Sequence, residues 1–152
     1  VKAVQNRHKG RSTTTADLLI QLSNAKKNKR YDSFIKQTIM APSLLIIDEI
    51  GYFPMSKEDA HHFFQVISKR YERGATIVTS NLVFSQWAGI FANDKVVTSA
   101  ILDRLLHHSH IINIQGNSYR LKEKKEAGLQ EMDLFKIGKK KRSSEHSDEP
   151  VA

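Results

Sequence analysis

The sequence predicts an α/β fold, a three-layer parallel sheet with helices on both faces. The run Leu44-Leu45-Ile46-Ile47 is apolar without a break and stops at Asp48-Glu49. That is the pattern of a strand buried on both faces of a parallel sheet. A second candidate strand, Ala75-Thr76-Ile77-Val78-Thr79-Ser80-Asn81, follows after a single amphipathic helix. Strand, helix and strand in this order make a right-handed crossover, and a crossover of this length joins parallel strands.

In chain order, two amphipathic helices are predicted first, Ala16 to Ala25 and Tyr31 to Met40, with Lys26, Lys27, Lys29 and Arg30 on the turn between them. The apolar strand ending at Glu49 comes next. Ser56-Lys57-Glu58-Asp59 then resembles a capping box, with Asp in the place of Glu or Gln. Phe63, Phe64, Ile67 and Tyr71 follow at helical spacing, and Gly74 is the expected C-terminal stop. His61 and His62 are adjacent, so on a helix they diverge by about 100°; both read as surface residues. Trp87 is expected to pack in a short helix opening near Ser85. From Lys136 onward apolar residues thin out, and Lys139-Lys140-Lys141-Arg142 is followed by Ser143, Ser144 and acidic residues. Residues 126–152 therefore read as a basic tail of disordered composition.

Composition fits one soluble domain with a single core. Hydrophobic residues make up 39% of the 152, a share lowered by the polar tail. The absence of cysteine excludes a disulfide framework and thiolate metal sites. No apolar run approaches a membrane span and no signal peptide is seen, so a cytoplasmic location is the expectation. The net charge of +8 is uneven: residues 1–40 hold nine Lys or Arg against two Asp, and the remainder holds 15 basic and 14 acidic residues. A basic N-terminal portion suggests nucleic acid, whose phosphates attract Lys and Arg. The cluster at residues 26–30 also suits an ordinary solvated loop.

Open α/β sheets bind ligands at the C-terminal ends of their strands, which is where Asp48 and Glu49 fall. Nucleotide hydrolases of the P-loop class use such a pair: one acid holds Mg²⁺ and the next polarises the attacking water. In these enzymes a neighbouring strand often ends in a polar side chain that senses the γ-phosphate. Asn81 is the best candidate, with Thr79 and Ser80 beside it. A strand that simply ends in two solvated acids would look the same over this segment alone.

Residues 13–125 resemble the ATP-binding helper proteins of bacterial insertion sequences, the IstB type, relatives of the DnaC helicase loader within the AAA+ ATPases. The segments that carry the resemblance are Thr13-Thr14-Thr15-Ala16-Asp17-Leu18-Leu19, LLIIDEIGYFPM (44–55), FFQVISKRYERGATIVTSN (63–81) and ILDRLLHHSHIINIQGNSYRLK (101–122). The resemblance implies a P-loop NTPase (AAA+) sheet in the strand order 5-1-4-3-2. It makes Asp48 and Glu49 the Walker B acids, Asn81 the sensor-1 residue and Arg104 an arginine finger acting on a neighbouring subunit's nucleotide. Arg120 would act near the γ-phosphate, and Lys26, Lys27, Lys29 and Arg30 would sit on a helix pair that lines a pore around DNA. His107, His108 and His110 would lead into the last strand, Ile111 to Ile114, as structural residues, since no Cys or Glu lies near them at a familiar metal spacing.

The phosphate-cradling loop GxxxxGK[ST] is missing from the sequence. Gly10-Arg11-Ser12 has Arg in place of Lys and no upstream glycine, and Gly138-Lys139 is followed by Lys140. The chain opens on Val1, the expectation for a piece of a longer protein, with residues 1–9 the last turns of the helix after that loop. The expected fold is therefore incomplete, a partial ATPase domain over residues 1–125 without its central P-loop strand. Strands 4 and 5 would then have edges unpaired in the interior, at about 1–3 kcal/mol for each unsatisfied buried group.

The resemblance implies an ATP-dependent regulator of transposition, with ATP and Mg²⁺ as cofactors and with DNA, the transposase and further copies of itself as partners. A DnaC-like helicase loader and an inactive fragment of the transposition helper are the alternatives.

Overall fold

The computed structural model describes residues 9–116. Its sheet has three parallel strands in the order β1-β2-β3: β1 (Gly10–Thr14), β2 (Leu44–Ile50) and β3 (Ala75–Ser80). Helix α1 (Thr15–Lys27) follows β1 directly. Helix α2 (Tyr31–Phe34) runs on into a π-helix (Ile35–Met40). Helix α3 (Lys57–Arg70) crosses from β2 to β3. A 3₁₀ turn (Phe84–Gln86) leads into α4 (Trp87–Ile90), and α5 (Lys95–Leu106) follows. All of these elements belong to one compact unit ending at Ile111.

β2 is central because it alone is apolar enough to be covered. Leu45, Ile47 and Ile50 on one of its faces are fully buried, against Leu18 and Leu22 of α1, Ile39 of the π-helix and Phe63 and Val66 of α3 in one core cluster. The opposite face, with Leu44 and Ile46, is only half-covered among the described residues. The order β1-β2-β3 matches the 2-3-4 portion of the expected sheet. β3, however, does not present a buried edge: Ala75, Thr79 and Ser80 are exposed, and Ile77 is 48% exposed. Water can serve its unpaired groups, so the expected interior penalty does not arise at this strand.

β1 carries no apolar side chain and was not expected. Gly-Arg-Ser-Thr-Thr becomes a strand by pairing in parallel with Leu44–Asp48, one edge against a strongly formed neighbour; context outweighs its weak intrinsic preference. Of the residues read as helix through position 9, only Lys9 is described; it is not helical, and its carbonyl accepts from Leu44 N–H at 3.2 Å.

The helix starts are capped as their sequences direct. Thr14 Oγ1 accepts from Asp17 N–H at 3.1 Å, and Ser56 Oγ accepts from Asp59 N–H at 3.1 Å. The box at Ser56 closes through side chains, the Ser56 hydroxyl donating to Asp59 Oδ2 at 2.7 Å. Asp94 caps α5 by accepting from Val96 and Val97 N–H. Trp87 is 2% exposed and stands at the head of α4.

Three expectations change. His62 is buried at 6% exposure, with Nδ1 3.4 Å from the Tyr31 hydroxyl and Nε2 3.5 Å from Glu58; only His61 is a surface residue. α3 ends at Arg70, and the left-handed residue beyond it is Glu72 (φ 57), not Gly74. Ile111 to Ile114 form no strand, and Ile111, Ile112 and Ile114 are exposed.

Gly74 instead makes room for Arg70, because a Cβ there would lie 2.6 Å from Arg70 Nη2. Arg70 is 3% exposed and has no carboxylate partner among the described residues. Its Nη1 donates to the carbonyls of Ile39 (2.6 Å) and Pro42 (3.0 Å). Nη2 donates to Ala75 (2.6 Å) and Ser43 (3.4 Å), and Nε to Thr76 Oγ1 (3.0 Å). Burial pulls its pKa below the usual guanidinium value, yet the five acceptors favour the charged form.

Arg70→Met is expected to lower stability by about 3 kcal/mol, since it orphans several carbonyls at once. Arg70→Lys should recover less than half, because one ammonium cannot span a planar fork of acceptors. Urea unfolding reads both; a loss under about 0.5 kcal/mol for Met, the size of a neutral surface change, would refute this role.

Candidate functional site

The C-terminal ends of β2 and β3 hold the predicted acids. The pairing register between these strands runs regularly from Leu44↔Ala75 to Ile47↔Val78 and then shifts before Ile50↔Ser80. Within this bulge Glu49 has φ 66, a left-handed conformation rare for a residue with a side chain. Simple alternation would send Glu49 after Leu45 and Ile47 onto the buried face. The irregularity seats Ile50 there instead and leaves Asp48 and Glu49 both exposed.

Asp48 is held by three neighbours. Thr15 Oγ1 donates to its backbone carbonyl at 2.8 Å, and Thr15 itself is 1% exposed. Glu49 N–H donates to Asp48 Oδ1 at 3.1 Å, and the Thr79 hydroxyl donates to the same oxygen. Thr79 Oγ1 also receives Glu49 N–H at 3.2 Å. Ser80 Oγ donates to the Ile50 carbonyl at 2.7 Å, tying β3 to β2 beyond the bulge. Among the described residues, no hydrogen bond occupies Asp48 Oδ2 or the Glu49 carboxylate.

Asn81 follows β3 and lies against Gly51. A Cβ at Gly51 (φ 109) would stand 2.7 Å from Asn81 Oδ1, so glycine there permits both the turn and the approach. Asp48, Glu49, Thr79 and Asn81 thus share one end of the sheet. Arg104 does not join them: its Nη1 donates to the Ala100 carbonyl at 2.9 Å, and its guanidinium lies 4.9 Å from the Phe64 ring centre. Arg120 lies outside the described residues.

Lys26, Lys27, Lys29 and Arg30 are all exposed on the turn between α1 and α2, and Lys29 adopts φ 56. They are not equivalent. Lys26 Nζ bonds Glu58 Oε1 at 2.8 Å, and that ammonium is the main reason the Glu58 carboxyl sits below its ordinary pKa. The two residues missed by sequence reasoning are Thr15 and, as a direct partner of Asp48, Thr79. Nothing in a Thr-Thr-Thr run marks which one meets a strand far along the chain.

As a metal site, this end offers oxygen donors: a free Asp48 oxygen, the Thr79 hydroxyl and the Glu49 carboxylate. Hard oxygen ligands suit Mg²⁺, which keeps much of its water and takes few protein ligands. The residues present fit that ion, whereas the phosphate-cradling loop has no counterpart in the sequence.

Residues 1–127 match the family model described as IstB-like ATP binding protein. A protein of insertion sequence IS21 from Pseudomonas aeruginosa, named for ATP binding, is 46% identical over 129 residues. That match takes in 85% of this chain and 48% of the relative, so the chain spans about half the length of that curated relative. Among solved structures, a DnaA replication initiator bound to AMPPCP and single-stranded DNA is similar with a TM-score of 0.60 at 16% identity, over 88% of this chain and 41% of that one. The DnaC helicase loader is similar with a TM-score of 0.54 at 19% identity, over 67% and 61%. At such identities these likenesses bear on fold alone, and the fold is an incomplete α/β P-loop fold of the AAA+ kind.

The left-handed Glu49 yields a stability test. Glu49→Gly should exceed Glu49→Ala in stability by about 1 kcal/mol, because only glycine adopts this φ without strain. Urea midpoints decide it, and a glycine variant at or below the alanine variant would mean that residue 49 is not left-handed in solution.

Proposed function

Because the chain belongs to the family of IstB-like ATP-binding proteins, we propose that it carries the hydrolytic half of an AAA+ ATPase that assists transposition of its insertion sequence. The observation that supports this reading best is the bulged end of β2, where Asp48 and Glu49 stand exposed side by side and Thr79 of the adjacent strand orients Asp48.

In this proposal Asp48 is the Mg²⁺ ligand, and Mg²⁺ when bound neutralises charge developing on the phosphates. Glu49, with its carboxylate open to solvent, orients the attacking water and takes its proton. Asn81 senses the γ-phosphate from the neighbouring strand end, and Arg120 works near the same phosphate. Arg104 reaches the nucleotide of a neighbouring copy, so the working form is a homo-oligomer. Leaving Phe64 to do so costs Arg104 only about 0.5–1 kcal/mol of cation–π attraction.

Residues 1–125 form the partial ATPase domain and 126–152 a basic tail. The partners are DNA and the transposase of the same element, and the place of action is the cytoplasm; no helix among the described residues is long and apolar enough to cross a membrane. The likeness to the DnaC loader is one of fold and adds no function of its own.

The chain alone should turn over ATP no faster than its Glu49→Gln variant, for want of the phosphate loop. In a longer form that carries GxxxxGK[ST], Glu49→Gln should retain ATP and lose turnover by about 10²-fold or more, while Asp48→Asn should weaken nucleotide binding in Mg²⁺. Wild-type turnover in that Glu49→Gln variant would reject Glu49 as the catalytic acid.

The basic turn is proposed to hold DNA phosphates. Lys27, Lys29 and Arg30 changed together to Ala should lower the slope of log K against log salt by up to about 0.9 per lost contact, alike on unrelated duplexes. Lys26→Ala alone should change it less, since Lys26 is already paired with Glu58. An unchanged slope in the triple variant would return this turn to an ordinary solvated loop.

A further inference from the structure

Helices α3 and α5 end side by side, and three potential metal ligands meet there. Glu72 lies just beyond α3, and His107 and His108 just beyond the last turn of α5. Their ligand atoms all lie within 4.8 Å of one another, and all three residues are exposed. By sequence the histidines had no acidic partner; the fold brings one from the turn after α3. Adjacent residues inside a helix diverge, but His107 caps α5 and His108 lies in the turn after it, so their ring centres are only 4.0 Å apart.

The donor spacing is near what a small tetrahedral ion needs. With metal–ligand bonds of about 2.0–2.2 Å, tetrahedral donors stand roughly 3.4 Å apart. His108 Nε2 lies 3.7 Å from Glu72 Oε1, and exposed side chains close the remaining gaps by small rotations. The electrostatics also favour a cation, because the carbonyl ends of two helices bring partial negative charge to the same place. The Tyr71 hydroxyl bonds His107 Nδ1 at 2.5 Å. That contact fixes the ring and leaves Nε2 as the nitrogen for a metal, the usual outer-shell arrangement of a metal-binding histidine.

We propose that Glu72, His107 and His108 form a site for a divalent transition-metal ion of the zinc class, with a fourth position open to water or another ligand. Two imidazoles and one carboxylate suit Zn²⁺, whereas Mg²⁺ takes oxygen donors. The site is thus distinct in chemistry from the acids at the end of β2. Bound metal would tie the end of α3 to the end of α5, the helix that carries Arg104.

The test is competition for Zn²⁺ between the full 152-residue chain and a chromophoric chelator. The unmutated chain should bind Zn²⁺ at this site, and excess Mg²⁺ should not displace it. His107→Ala, His108→Ala and Glu72→Gln should each weaken binding by about 10-fold or more, and Tyr71→Phe by about 10-fold. Glu72→His, which replaces one zinc ligand with another, should restore binding. His61→Ala and His110→Ala should leave it unchanged. Far-UV circular dichroism checks that each variant keeps its fold, as expected for exposed positions. Zn²⁺ binding as tight in the His107→Ala, His108→Ala double variant as in the unmutated chain would overturn the site. So would failure of Glu72→His to bind better than Glu72→Gln.

Discussion

The Arg70 guanidinium is the contact on which the rest of the sheet depends. Parallel strands begin on the same side of the sheet, so the chain arrives there repeatedly through irregular segments; of their carbonyls, that of Ser43 also accepts from Ala75 N–H at 3.1 Å. Ile39 lies in the last turn of the π-helix, Pro42 and Ser43 lead into β2, and Ala75 opens β3; Arg70 collects a carbonyl from each. Aliphatic packing alone could not do this, because buried carbonyls need donors. A single planar group with five N–H bonds supplies them from the last turn of the crossover helix. Gly74 belongs to the same device, since any side chain there would push the guanidinium away.

With β2 tied at its start, its other end is free to be irregular. The core demands Leu45, Ile47 and Ile50 on one face, and the interval between the last two is one residue longer than a regular strand allows. Something between them must absorb the extra residue, and Glu49 does so with its left-handed φ. The strain, on the order of 1–3 kcal/mol, is offset by burying Ile50, which is itself worth about 1.5–3 kcal/mol. The same irregularity turns two carboxylates outward beside Thr79, so packing of the core and exposure of the acids are one geometric fact. Thr15 adds a second tie, from the first turn of α1 to the Asp48 carbonyl, which couples the position of the acid to the edge strand β1.

The helix ends show a similar economy. α3 starts at a Ser56 cap whose neighbour Glu58 takes Lys26 from the basic turn, and it finishes at Arg70, Tyr71 and Glu72. One crossover helix therefore touches the basic turn, the strand starts and the end of α5. Its two termini differ in charge as the backbone dipole requires, with Glu58 and Asp59 in the first turn and Lys69 and Arg70 in the last.

The sequence by itself determined the parallel α/β class, the apolar strand that ends in Asp48-Glu49, the strand at Ala75, the helix over Ala16 to Ala25, the helix capped by Ser56, and the packed Trp87. Each of these is written in local period and capping chemistry, which act over a few residues. Tertiary structure alone decided that Gly10–Thr14 is a strand, because its side chains carry no period and only an apolar neighbour recruits it. It also buried His62 beside Tyr31, moved the left-handed turn from Gly74 to Glu72, paired Lys26 with Glu58 and Thr79 with Asp48, and brought Glu72 to His107 and His108. Those are contacts between residues far apart in the chain, and their partners are chosen by packing and by the need to satisfy buried polar groups. Local pattern sets which elements form; the register between them sets which side chains meet.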